Sequence, residues 1–169
     1  MDKLGRAVPP EERYAANLKL LGELIHSIVA QLHSAGVNIV SPHLISLGLN
    51  AMKEYYTPDQ LIRNFIVHSH LHWPMILQKK ESFFTDNLEE IFSILSKEKM
   101  QNIRLFKKLI ELKTTDGRPA LSMQTKNEIW KKLHSLVKIS IKYAYERGFQ
   151  PQDFQLEEHA KMWDVKFAG

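Results

Sequence analysis

The strongest constraint on this chain is the way its apolar residues recur at helical spacing between proline starts and glycine stops, with no alternating pattern to build a sheet. Leu18, Leu21, Ile25, Ile28, Val29 and Leu32 form one stripe behind Pro9-Pro10-Glu11-Glu12 and ahead of Gly36, which predicts a helix over about Pro10 to Ser34. Ser122 caps a second long run that reaches about Arg147, where Gly148 and Pro151 prevent continuation. Val37 to Val40 is apolar and β-branched but too short to establish a sheet alone. The expected class is all-α, an irregular multi-helix bundle of about six to eight helices.

Between the two long runs, Ser41-Pro42 caps a helix to about Tyr56, and Thr57-Pro58-Asp59-Gln60 supplies an N-cap hydroxyl, a proline at the first helical position and a polar residue three positions after the cap. That helix is expected from Pro58 to about His72, with Leu61, Phe65 and Leu71/His72 near one stripe. Pro74 then kinks or ends it. A second short helix is expected over roughly Pro74 to Phe84, another behind Asp86 and Glu89, and one more from Ser96 onward. Trp73, Phe83, Phe84 and Phe92 are expected to be buried. Thr114 to Pro119 reads as a turn.

The spaced pattern Phe65-Ile66, Ser69, Trp73, Ile76, Lys79, Phe83-Phe84, Asn87 and Ile91-Phe92 resembles one in small uncharacterised helical proteins of large nucleocytoplasmic DNA viruses. The resemblance covers about one sixth of the chain, and the chain departs from it by placing Pro74 directly after the tryptophan, where an acidic residue is expected. It implies a non-enzymatic structural or interaction protein, a virion or capsid-associated component, located in the host cytoplasm or virion. It implies no catalytic residue.

Charge divides the chain more sharply than composition does. The net charge of +4 conceals 13 Lys/Arg against 5 Asp/Glu in residues 97–150, flanked by two mildly acidic parts. The expected organisation is therefore a helical bundle over 1–150, basic over 97–150, followed by a C-terminal tail or arm over 151–169. Cysteine is absent, which excludes disulfides, thiolate chemistry and cysteine-based zinc sites. No segment approaches the roughly 18 apolar residues that span a bilayer, and the first residues lack a signal-like apolar run, so a soluble intracellular protein is expected.

Three groups can carry function. Lys131, Lys138 and Lys142 share a narrow arc of the last long helix, opposite Ile129, Leu133, Leu136, Val137 and Ala144. With Arg147, and with Tyr143 and Tyr145 close by for stacking, they are candidate contacts for nucleic-acid phosphates, the alternative being a solvated or protein-docking face. Trp163 and Phe167 lie beyond the helix stop and are candidate anchors on a protein partner or a second copy, unless the tail folds back on its own bundle. Two short helical pieces are expected there, over Pro151 to His159 and Ala160 to Phe167. His68 and His72, four apart, can share a metal ion on one helix face, but a third ligand such as Glu81 is needed. Packing or surface histidines are the expected reading, with no metal and no cofactor. No nucleophile, base and charge stabiliser can be placed together, so no enzyme is expected.

Overall fold

The computed structural model describes residues 7–34, 36, 55–82, 111–113 and 116–166. Helix α1 runs over Pro10–Ser34, with Glu11 and Glu12 in its first turn where the helix dipole favours carboxylates. Gly36 follows at φ 86, and its N–H bonds the His33 carbonyl at 3.0 Å. Helix α2, Pro58–Ser69, opens on a complete capping box. Thr57 Oγ1 accepts from the Gln60 N–H at 3.2 Å, and Gln60 Oε1 accepts from the Thr57 N–H at 2.9 Å.

Pro74 shapes what comes next. It has no N–H for the His70 carbonyl and its ring crowds that group, so the chain tightens into a 3₁₀ turn over His70–His72 in which the Trp73 N–H reaches the His70 carbonyl. Helix α3, Trp73–Leu77, then starts with proline in its first turn. It ends early. Lys79 adopts a left-handed conformation, φ 56, and the Lys80 N–H returns to the Met75 carbonyl at 3.1 Å, closing a Schellman cap. The expected helix over Pro74 to Phe84 is corrected accordingly, and its cap went unread because a lysine occupies the position where glycine is usual. Leu71, expected near the buried stripe, is instead exposed, because six residues at about 100° each place it about 240° around the helix from Phe65, opposite the buried face.

Helix α4, Met123–Glu146, is capped by Ser122, whose Oγ accepts from the Thr125 N–H at 3.1 Å. Gly148, at φ 75, closes its end, and the Phe149 N–H bonds the Ala144 carbonyl at 3.0 Å. Two short helices follow, α5 over Pro151–Phe154 and α6 over Leu156–Met162, joined by Gln155 in a left-handed conformation. Their boundary falls four residues before the expected one.

Helix α4 is the centre of the packing. Helix α1 lies along it, α2 leans on both, and α3 and α6 pack on it as well. Ile129, Leu133, Leu136, Val137, Ile141, Tyr143 and Ala144 are all buried there. The buried Ser140 returns its hydroxyl to the Leu136 carbonyl at 2.7 Å, so this polar side chain is satisfied within its own helix. Among the described residues the class is all-α, with no strand beyond an isolated antiparallel bridge between Lys113 and Pro119. The helices expected around 42–56 and from Ser96 onward fall mostly outside the described residues, as do Phe83, Phe84 and Phe92.

Leu136 is 0 % exposed and Leu20 is 45 % exposed. Leu136→Ala should therefore cost about 2–5 kcal/mol in a denaturant titration, through lost burial and an unfilled cavity. Leu20→Ala should stay within about 0.5 kcal/mol of the parent protein.

Candidate functional site

Lysines on the outer face of α4 and arginines at its end have different roles. Lys131 and Lys138 are exposed and Lys142 is half-buried, and among the described residues none of the three has an ion-pair partner. Other cations are held internally. Lys126 pairs with Glu81 at 2.7 Å, which also commits the carboxylate considered as a third metal ligand. Arg147 pairs with Glu11 of α1, and its guanidinium sits 5.5 Å from the centroid of Tyr143. Arg147, expected among the phosphate contacts, is thus engaged by Glu11 across the bundle while its side chain stays partly exposed. Tyr143, considered for stacking, is fully buried.

Around Tyr143 the structure assembles a polar cluster that no local motif announces. Its hydroxyl donates to Asp59 Oδ1, while Arg63 Nε donates to Asp59 Oδ2 at 2.9 Å. Arg63 also lies 5.7 Å from the Tyr143 ring and 5.5 Å from the Phe149 ring, so two guanidinium groups lie over the tyrosine ring. Burial, reinforced by the hydrogen bond to Asp59, pushes the Tyr143 phenol up to about 12. The same hydrogen bond holds the Asp59 carboxyl below the usual range, with Arg63 and Arg147 adding to it. Only Asp59 and Arg63, four apart on α2, are readable as a pair. Tyr143 and Glu11 join across separations of 84 and 136 residues.

A 3₁₀ turn over His70–His72 interrupts the α-helix between His68 and His72, and both are half-buried. Among the described residues no three His, Asp or Glu side chains converge as metal ligands. What the turn does build is a buried relay. The indole N–H of Trp73 donates to Ser69 Oγ at 2.9 Å, and the Ser69 hydroxyl donates onward to the Phe65 carbonyl.

The tail folds back. Trp163 is 2 % exposed and meets His134 of α4 edge to face at 5.0 Å, while Leu156 and Ala160 are buried beside it. The expectation that Trp163 anchors a partner is corrected, since α6 gains more by burying three apolar side chains on α4 than by leaving them in water. Phe167 lies outside the described residues. Helix α6 is held in part by another Schellman cap, with Asp164 at φ 53 and the Val165 N–H bonded to the Ala160 carbonyl at 2.8 Å. Sequence reasoning missed His134 and His159, both of which face aromatic rings across this interface.

Trp163→Ala should destabilise the monomer by about 3–5 kcal/mol, read from its denaturation midpoint. An anchor reserved for a partner would leave that midpoint in place. Tyr143→Phe should cost about 1 kcal/mol, a small value because Asp59 is partly open to water. Asp59 is depressed in the folded state, so its contribution is present above the unfolded carboxylate pKa of about 3.9 and is lost as pH falls below it. The acid limb of stability against pH should therefore flatten in Tyr143→Phe.

Comparison of the chain with protein-family models, with curated proteins and with solved structures gives no match.

Proposed function

We propose that the chain is a non-enzymatic helical interaction protein whose contact face is the lysine arc of α4. The observation that carries this is the division of its cations. Arg63, Lys126 and Arg147 each hold a carboxylate, whereas Lys131, Lys138 and Lys142 face outward with no ion-pair partner among the described residues. Its conspicuous polar and aromatic groups are likewise committed to the bundle: Asp59 to Tyr143 and Arg63, Trp73 to Ser69, and Trp163 to His134. The resemblance of the central stretch to proteins of large nucleocytoplasmic DNA viruses supports a virion or capsid-associated role, with other virion proteins or further copies as partners. No helix among the described residues is long and apolar enough to cross a membrane.

A second reading, a nucleic-acid-binding accessory protein, is favoured by the spacing of the same lysines. The helical rise sets Lys131 and Lys138 about 10 Å apart along the axis and Lys138 and Lys142 about 6 Å apart, a run that can follow a phosphate backbone. Glu128 and Glu146 bracket the arc and limit it to a short contact. Binding would thus be modest and independent of base sequence.

The triple substitution Lys131→Gln, Lys138→Gln, Lys142→Gln separates these readings. If the lysines touch phosphates, the slope of log affinity against log salt should fall by about 3 units or slightly less on duplex or single-stranded DNA. No binding by the parent protein at low salt discards the nucleic-acid reading. If the triple variant also remains with purified particles as firmly as the parent, the lysine arc is not the contact face.

A further inference from the structure

Histidine and aromatic rings meet edge to face all along the seam between the C-terminal segment and the rest of the bundle. His159 of α6 meets Trp73 at 4.8 Å, His134 of α4 meets Trp163 at 5.0 Å, and His70 of the 3₁₀ turn meets Phe154 of α5 at 4.9 Å. Each contact joins the segment to the body. His159 is 5 % exposed, and its Nδ1 is buried with no hydrogen-bond partner among the described residues. His134 Nε2 lies 2.8 Å from the Ile76 carbonyl, a contact that only a ring N–H can make, so Nε2 carries the proton in the neutral ring.

Most charged groups around these rings oppose a second proton. Lys79, at the end of α3, and Lys138, on α4 itself, act on His134, whose remaining favourable contact is the Ile76 carbonyl. His70 acts on His159 from the 3₁₀ turn, and among the described residues Glu158, an exposed residue of α6, favours its charged form. Burial is the largest influence on both rings and holds both below the usual histidine range.

We propose that this seam is an acid-sensitive latch: residues 151–166 dock only while His134 and His159 are neutral, and mild acid releases them while the rest of the bundle stays folded. Release uncovers Leu156, Ala160 and Trp163 together with the part of α4 that they cover. The undocked segment binds more protons than the docked one, so docking is intact above the free histidine pKa of about 6.5 and weakens as pH falls below it. At pH 5 a ring that stayed wholly neutral when docked would favour release by at most about 30-fold, and two such rings by at most about 1000-fold.

Amide hydrogen-exchange protection factors of the full chain at pH 7.5 and pH 5 test the proposal. Residues 156–163 should lose at least about tenfold in protection, while the buried parts of α1 and α4 change by less than about threefold. In the double variant His134→Gln, His159→Phe most of that loss should vanish, since glutamine keeps a donor toward Ile76 and phenylalanine keeps an edge toward Trp73. Should that variant fail to fold, His159→Phe alone should remove part of the loss, by a factor of at most about 30. The latch is overturned if protection over 156–163 ignores pH, if α1 and α4 lose protection in step with it, or if the folded variant responds like the parent protein.

Discussion

Burial of one broad face of α4 is the interaction on which the rest of the structure depends. The helix takes α1 along its length, α2 and α3 on one part and α6 on another. Its buried set extends from Ile129 and Trp130 to Tyr143 and Ala144, a longer and wider face than a two-residue-per-turn stripe supplies. Such a helix cannot remain alone in water, and each neighbour has an apolar stripe that needs the same cover. Among the described residues, Lys131 and Lys138 lie on an arc of α4 that its helical neighbours leave exposed.

Two polar arrangements then give the packed helices their register. At one end, Asp59, Arg63, Tyr143, Arg147 and Glu11 tie α1, α2 and α4 through charge-assisted hydrogen bonds and cation–π contacts. Glu11 Oε2 remains buried without a partner, which makes its pairing with Arg147 costly to break. Midway, the relay from Trp73 through Ser69 to the Phe65 carbonyl satisfies the indole at the point where Pro74 interrupts the backbone ladder. Its proline sets the turn, and the serine makes the turn compatible with a buried tryptophan.

The seam under the C-terminal segment is built differently. Its rings are held by shape and edge-to-face contact, with buried polar atoms left unpartnered on His159 and Trp163. A seam of this kind stabilises only in one protonation state, whereas in the salt-bridged cluster Tyr143 and the arginines hold the Asp59 carboxyl below the usual range. The segment beyond Gly148 is therefore the part set to respond to mild acid.

Local chemistry determined much of this protein from the sequence. Proline starts, the Thr57–Gln60 capping box, the Ser122 cap and the Gly148 stop specify α1, the start of α2 and the whole of α4, because caps and periodicity act within a few residues. The opposition of lysines and core on α4 was legible for the same reason. Tertiary structure alone decided the rest. A left-handed Lys79 or Gln155 has no composition signal, since neighbouring packing holds a conformation that its own side chain disfavours. Arg147 looked like a phosphate ligand until Glu11, brought from 136 residues away, met it, and Trp163 looked like an anchor until His134 covered it. Charge and aromaticity are written in the chain, but whether a partner lies inside the same molecule depends on which helices fold together.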